Sequence, residues 1–454
     1  MFTALHFENY KSFRKLDLNL QSGTKPKNLV AIYGENGSGK TNIVSAFTNL
    51  RQSIDTVNGQ EMLAQLQKEM FDTKPEGKAN LEKDFFRKII NEQTVSPTLR
   101  DIFLDTQTID SQADMKIRYD FKINEKNGYY ELIFKKGDDG LYLASEALHY
   151  LIKKATGEIY HITGDEAGKI TVKWSPSLFS KKSVGDLVFD NVQRLWGKHT
   201  FLAIFNNIRV NNNRKYLQDN VASGFLAVLK NFRRLAYRVD NRSGQVNFAK
   251  LLRNFSHGEL TENDANLRRL TVTESVINKY FVPLYSDMMQ LFFRKTGHED
   301  GKLSYELFEK KRVGGKLIEI PFRMESHGTK RLLELLPLLL NAVHGETVVI
   351  DEIDQGVHDL LIDRLIDNVR DDLQGQLIFT THDTQVMKQL DLANVYVIQS
   401  DATGNKRVIS LANSGQSVAV HNNVQKLYLE GYFSGIPYAD NVDFFDILQD
   451  LEVK

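Results

Sequence analysis

The sequence predicts an α/β fold built around a parallel sheet, and three segments carry that prediction. Leu29-Val30-Ala31-Ile32-Tyr33, Thr347-Val348-Val349-Ile350 and Gln376-Leu377-Ile378-Phe379-Thr380-Thr381 are short apolar runs, the pattern of strands buried on both faces. Each is followed by residues suited to an anion or a metal: a glycine-rich loop, a pair of acids, and a histidine. Ligands of open α/β sheets collect outside the carboxyl ends of such strands.

The first run enters Gly34-Glu35-Asn36-Gly37-Ser38-Gly39-Lys40-Thr41, the spacing of a phosphate-binding loop. Asn42-Ile43-Val44-Ser45-Ala46-Phe47 then takes up helical spacing, so the loop lies between strand and helix, as the motif requires. Backbone amides around Asn36, Gly37 and Gly39 can close on phosphates, and the helix N-terminus adds positive potential. Lys40 is expected to reach the β- and γ-phosphates of ATP, and the Thr41 hydroxyl to ligate Mg²⁺. The competing reading is a glycine-rich turn with a chance lysine. The strand and helix on either side weigh against it.

The second run ends in Asp351-Glu352, at the edge where ligands sit. Asp351 is expected to hold Mg²⁺, directly or through water, and Glu352 to polarise the attacking water. The alternative is that both acids cap the next turn. Asp354 and His358 follow in the same loop and are expected to touch the site or a partner subunit. The third run ends in His382, 31 residues after Asp351, a length that fits a helix and a return strand. A histidine there can hydrogen-bond the γ-phosphate or the water. Ahead of the acids, Ser326 is a good N-cap for a helix carried by Leu332, Leu333, Leu335, Leu336 and Leu338, with a kink expected at Pro337.

In this order the segments resemble the split ATP site of an ABC-type ATPase head. The chain is similar to the OLD/RecF/SMC-related ABC ATPases, of the short AAA15/AAA21 type found in bacterial anti-phage (abortive infection) systems such as PARIS, Septu and retron-associated systems. Leu5-His6-Phe7-Glu8-Asn9-Tyr10-Lys11-Ser12-Phe13 is similar to their opening strand and phosphate-side turn. Leu427 to Pro437 resembles their GRYGAIP ending, with Tyr432 and Phe433 in place of the Arg-Tyr pair. Ser326 and Gly328 match the serine and second glycine of the ABC signature, which binds the γ-phosphate of ATP held by the other subunit. His327 and Thr329 depart from its usual glycine and glutamine, which leaves the hydrolysis rate open.

The resemblance implies an ATPase that uses ATP and Mg²⁺ and works as a homodimer or higher homo-oligomer. Lys40, Thr41, Asp351, Glu352 and His382 of one head would meet Ser326 and Gly328 of the other. It implies a sensor and scaffold controlling a separate toxic effector, a TOPRIM or HNH nuclease, with DNA or a phage protein as trigger. Two other readings stand beside it: a RecF-like DNA-repair ATPase, and a scaffold that uses ATP as a structural ligand. OLD nucleases add a TOPRIM domain after the head. Only 72 residues follow His382 here, so no intrinsic nuclease is expected.

Composition narrows the classes. The chain has 454 residues, 58 basic and 58 acidic, so net charge gives no evidence for nucleic-acid binding, although local basic clusters occur. It has no cysteine, which excludes disulfides and cysteine-ligated zinc and fits a reducing cytoplasm. Met1-Phe2-Thr3-Ala4 leads directly into a strand pattern, so no signal peptide is expected. Leu332 to Leu340 contains Glu334 and is too short to span a bilayer.

The remaining chain divides into three expected parts. Residues 1–183 hold the phosphate loop, helical spacing at Met62, Leu63, Leu66 and Met70, and an antiparallel β-lobe from Lys116 onward. Residues 184–300 read as a compact helical insert, including Phe225 to Phe232 and a second amphipathic run from Val276 to Phe293. Residues 301–454 hold a hairpin around Gly314-Gly315, the rest of the nucleotide core, and an acidic amphipathic tail with Phe444, Phe445, Ile447 and Leu448, suited to a partner, a neighbouring subunit or its own head.

Overall fold

The computed structural model describes residues 1–57, 97–211, 214–240, 242–401, 403–415, 423–436 and 442–452. Met62, Leu63, Leu66 and Met70, the expected helical stretch, lie outside the described residues.

The predicted α/β architecture is present. Its centre is a seven-stranded sheet in the order Arg242–Gly244, Ala236–Val239, Thr347–Ile350, Gln376–Thr380, Leu29–Tyr33, Val395–Ser400, Lys406–Ser410. The five inner strands are parallel and the two edge strands antiparallel. Alternation of side chains splits each inner strand between two cores. Val30, Ile32, Val349 and Ile378 join the core under the phosphate-loop helix Lys40–Ser53. Leu29, Ala31, Tyr33, Val348, Ile350, Leu377 and Phe379 join the core under the helices His327–His344 and Asp359–Arg370.

The expected β-lobe is a second seven-stranded sheet, all antiparallel, running from Ile170–Trp174 through Thr156–Gly164, Gly140–Leu151, Lys126–Gly137, Met115–Ile123 and Phe2–Tyr10 to Phe13–Asn19. The fully buried Gln376 ties this lobe to the central sheet. Its carbonyl accepts from Phe2 N at 2.8 Å, and its amide donates to the carbonyls of Phe2 (2.9 Å) and Lys27 (3.0 Å). A second buried junction is Glu146, whose carboxylate receives Tyr130 and Tyr160 hydroxyls, Trp196 Nε1 and Phe201 N at 2.7–3.0 Å. Burial pushes its carboxyl pKa up, and the four donors oppose that push.

The expected helical insert at 184–300 is divided differently. Helices Lys182–Leu195, Phe201–Asn211, Arg214–Asp219 and Ser223–Arg233 do form. Phe201, Phe205, Phe225 and Phe232 belong to the same core as Phe2 and Phe47, so these helices are part of the head. Ala236–Val239 is a strand of the central sheet, paired with Thr347–Ile350. The run Val276 to Phe293 is not one helix. Helix Asp264–Phe281 stops ahead of Pro283, which cannot donate a helical hydrogen bond, and Met288–Gly297 is a strand. That strand joins a third, antiparallel sheet with His257–Thr261, Lys302–Val313 and Lys316–Pro321. The expected hairpin turns at Gly314 and Gly315, both at positive φ (56° and 79°), as a two-residue turn of this kind needs. Helix His327–His344 runs through Pro337 as one element. Among the described residues no helix is long and apolar enough to cross a membrane.

The Glu146 junction generates a stability prediction. Glu146→Gln presents an amide N–H₂ to donors that already point at it, leaving buried groups unpaired. The loss should be about 3 kcal/mol or more, read as a lower urea midpoint with unchanged slope. An unchanged midpoint would show that the four hydrogen bonds contribute nothing net.

Candidate nucleotide site

The three predicted strands end on one edge of the central sheet, in the order acids, histidine, phosphate loop. Thr381 N bonds Ile32 O (3.3 Å), Ile353 N bonds Thr380 O (3.1 Å) and Asp351 N bonds Arg238 O (2.8 Å), so the main chain locks these ends together. Helix Lys40–Ser53 starts directly from the loop, with Gly39 at φ 109° as its N-cap. A Cβ on Gly39 would meet Ser12 Oγ at 2.8 Å and the Phe13 ring at 3.0 Å, so the turn after the first strand needs glycine there. That turn also grips the helix, through Asn42 Nδ2 to Ser12 Oγ (2.7 Å) and Lys11 Nζ to Ser45 Oγ (2.8 Å).

Lys40 is buried and its ammonium donates to the carbonyls of Gly34 (2.9 Å) and Glu35 (3.1 Å). Burial lowers its pKa, while Asp351, Glu352 and Asp354 pull it back up, which places all four groups in one electrostatic neighbourhood. His382 lies in the same field. Burial and the Lys40 charge hold it below the ordinary histidine value, against the pull of Asp354, Glu352 and Asp351. Its ring is therefore neutral at pH 7 and keeps one donor and one acceptor.

The acids are held by a residue that motif reading missed. The Thr380 hydroxyl donates to Asp351 Oδ1 (2.6 Å) and accepts from Glu352 N (2.8 Å). Glu352 takes φ +46°, a left-handed conformation that costs a non-glycine residue energy and recurs at functional sites. Arg331, 2% exposed, donates to the carbonyl of Glu352 (3.3 Å) and more distantly to that of Asp351 (3.5 Å). Its Nε and Nη1 have no hydrogen-bond partner among the described residues. Lys406 Nζ donates to Gly37 O (2.6 Å) and pins the tip of the phosphate loop. None of these three carries a local sequence signal, because each acts across the fold.

The companion residues of the acid loop have structural duties. Asp354 Oδ2 accepts from His382 N (3.2 Å), and His358 Nδ1 caps helix Asp359–Arg370 by accepting from Leu360 N (3.2 Å). Burial, with Asp359, Asp354 and Asp363 nearby, pushes Asp383 up to about 6.

Ser326 caps helix His327–His344 as expected, its hydroxyl accepting from Thr329 N (3.1 Å). Among the described residues, this turn contacts Tyr285, Lys311 and Gly356 rather than the phosphate loop. A Cβ on Gly328 would meet Gly356 O at 2.3 Å, so Gly328 lets the turn pack against the loop that follows Glu352.

The donor set fits ATP with Mg²⁺. Gly37 is at φ 77° with open space on its Cα side, and buried Ser38 Oγ has no partner among the described residues. The loop therefore has hydrogen-bonding capacity to spare for phosphate oxygens. Thr41 and Asp351 would hold Mg²⁺ together with phosphate oxygens, the sparse protein ligation usual for this ion. Among the described residues no group of three His, Cys, Asp or Glu forms a cage of its own.

Thr380→Val keeps the shape of the side chain and removes the bridge to both acids. Hydrolysis should fall about 10–100-fold, the usual loss for a group that orients a metal ligand, while ATP affinity stays within about threefold. Wild-type turnover in a phosphate-release assay would mean that the bridge does not matter.

Two family models match segments of the chain. Residues 198–388 match the family model described as AAA domain, putative AbiEii toxin, Type IV TA system, and residues 4–50 match an AAA domain model. No curated protein matches the chain. Among solved structures it is similar to the SmcHead bound to the C-winged helix domain of ScpA (13% identity, 90% of this chain, 96% of that chain, TM-score 0.40). It is similar also to the SMC head domain from Thermotoga maritima (13%, 90%, 98%, TM-score 0.37). A third is the Smc head domain with an extended coiled coil bound to the C-terminal domain of ScpA, derived from Pyrococcus furiosus (14%, 91%, 97%, TM-score 0.38). Residues 4–50 contain the phosphate loop and residues 198–388 contain Ser326, Asp351, Glu352 and His382, so both parts of the candidate nucleotide site fall in segments that match AAA ATPase domain models.

Proposed function

We propose that the chain binds and hydrolyses ATP between two paired heads and uses that pairing to control a separate effector. The observation that carries the reading is the shared edge of the central sheet. Lys40, Asp351, Glu352 and His382 meet there, and Thr380 holds both acids. Lys40 exchanges its loop carbonyls for the β- and γ-phosphates. Mg²⁺, when bound at Thr41 and Asp351, neutralises phosphate charge. Glu352 takes the proton of the attacking water, and neutral His382 orients that water or the γ-phosphate.

The position of Ser326 supports pairing. Its turn makes its contacts on the acid-loop side of the same head, and the first-turn N–H groups of His327 and Gly328 belong to a helix N-terminus, a ready anion site. A second copy's γ-phosphate is the anion we assign to it. ATP then joins two heads, and hydrolysis releases them. The match to a family described as a putative AbiEii toxin of Type IV TA systems favours a defence role, with the chain as sensor and scaffold. We assign the toxic step to a separate polypeptide, a nuclease of TOPRIM or HNH type, and the trigger to DNA or a phage protein, in a cytoplasmic setting.

Two experiments test this. Ser326→Arg should abolish ATP-dependent pairing and reduce turnover at least about 100-fold, with monomer nucleotide affinity nearly unchanged. Unchanged turnover in that variant would refute the shared site. Glu352→Gln should bind ATP and remain paired, read by light scattering; hydrolysis at the parental rate would move the base to His382.

The division of labour has its own test. Purified protein incubated with plasmid, tRNA, ATP and Mg²⁺ should leave both nucleic acids intact. Cleavage that survives repurification and is lost with Glu352→Gln would make this chain the effector.

A further inference from the structure

We propose that the C-terminal helix Phe444–Glu452 of one copy lies in a groove beside the helix His327–His344 of a second copy and straps the ATP-paired heads together. The proposal rests on the paired-head reading above and adds to it an interface formed by protein alone.

The groove lies between helix His327–His344 and the third sheet. It encloses about 820 Å³ over an apolar floor of Leu307, Phe322 and Leu333. It continues past Glu334 into a second hollow of about 480 Å³ reaching Pro337 and Leu338. Lys330 to Leu338 spans about 12 Å of helix, and Phe444–Glu452 is about 13 Å long. The two lengths match.

Charge favours this occupant. Within the groove Arg238 pairs with Glu334 (2.7 Å), Arg323 with Glu306, and Lys302 with Glu259 (2.9 Å). Lys330 and Arg253 stand on the rim with no acid partner among the described residues, so the unpaired charge is positive. The tail helix is the complement. Phe444, Ile447 and Leu448 recur at helical spacing, and the segment 444–452 carries three acidic residues and no basic one. Phe444 is 72% exposed and Phe445 70%, with Ile447 and Leu448 also exposed, so its own head leaves this face uncovered.

Position supplies the third argument. The chain ahead of the tail is anchored at the nucleotide edge. The Tyr428 ring lies 5.9 Å from the Tyr33 ring, and Gln425 Nε2 donates to Thr384 Oγ1 (2.8 Å), two residues beyond His382. Gln399 Nε2 fixes Phe433 O at 2.7 Å. The tail therefore leaves the head on the edge that meets the partner's Ser326 turn. Lys330, Leu333 and Glu334 occupy the next turns of that same helix. One copy's tail and the other copy's groove are neighbours in the pair.

The chain has no native cysteine, so an engineered pair is unambiguous. Leu333→Cys in one copy and Phe445→Cys in a second, differently sized copy, both in a Glu352→Gln background, are mixed with ATP and treated with a short bismaleimide. The expected product is a crosslink between the two sizes, dependent on ATP. Deleting residues 442–454 should weaken ATP-dependent pairing at least about tenfold, the effect of losing one buried phenylalanine, and leave monomer ATP affinity unchanged. Phe444→Asp with Phe445→Asp, both at exposed positions, should reproduce the deletion.

Paired heads by light scattering without the crosslink would overturn the strap and leave the ATP-sandwich reading intact. A crosslink only when both cysteines share one chain would show that the tail docks on its own head, which also overturns it. Unchanged pairing after deletion would assign the tail to a different protein. Absence of pairing in Glu352→Gln with ATP would defeat both proposals, and the light-scattering mass alone reports that outcome.

Discussion

The double-sided burial of five parallel strands is the constraint from which the rest of the structure follows. Each inner strand must hand alternate residues to two different cores, so buried polar groups such as Gln376 and Thr380 stand at the strand ends and are hydrogen-bonded there. Leu29, Ala31 and Tyr33 face one core while Val30 and Ile32 face the other. Chemistry is thereby displaced to the strand ends. Residues 33 to 41, 351 to 352 and 382 are far apart in sequence and adjacent only because their strands share this sheet.

The acid pair shows how the edge is made exact enough for chemistry. A left-handed Glu352 costs roughly 1–3 kcal/mol, and it persists because Thr380 accepts its N–H and Ile353 N is bonded to Thr380 O. The same hydroxyl fixes Asp351. One threonine on the histidine strand therefore sets the orientation of both acids on the neighbouring strand, and a shift in either strand is felt at once by Asp351 and Glu352. Arg331 adds a second restraint from the opposite side. A buried guanidinium with two nitrogens that lack hydrogen bonds among the described residues is costly, Glu334 Oε2 at 3.9 Å from Nη1 offsetting part of that cost, and it is held against the carbonyls of the acid loop by a helix whose first turn is Ser326 to Thr329. The Ser326 turn and the acid loop are thus parts of one packed unit.

The ends of the inner strands were legible in the sequence because glycine spacing, acid pairs and buried apolar runs are local signals. Gly34 to Thr41, Asp351-Glu352, His382 and the Ser326 cap fall where the motifs place them. The antiparallel lobe was legible for the same reason, from strict alternation such as Met115–Ile123. The third sheet was partly hidden. In Met288–Gly297 the residues Met288, Leu291 and Phe292 recur at a spacing that imitates a helix face, and only Pro283 marks the break. Ala236–Val239 has four residues, too few to show a period, yet it extends the central sheet. Thr380, Arg331 and Lys406 were not legible, since their partners lie 20 residues or more away and include main-chain groups with no side-chain motif.

The two departures from the ABC-type signature make physical sense in this packing. Thr329 is buried, and its hydroxyl bonds both Ser326 Oγ (2.8 Å) and Tyr285 Oη (3.2 Å), a site with no room for a longer amide. His327 Nδ1 lies 2.9 Å from where a Cβ would stand on Gly356, so the bulkier residue at 327 is matched by the absence of one at 356. Gly356 is itself at φ 73°, in the loop that follows Glu352. Gly328 approaches the carbonyl of that same residue. The signature turn and the acid loop are therefore fitted to each other within one head. Whatever anion draws on the N–H groups of His327 and Gly328 pulls on a turn that cannot move without moving Gly356, and through it the segment that begins at Glu352. His327 and Thr329 keep a capped helix end and add a direct steric link from that turn to the acids of the same chain.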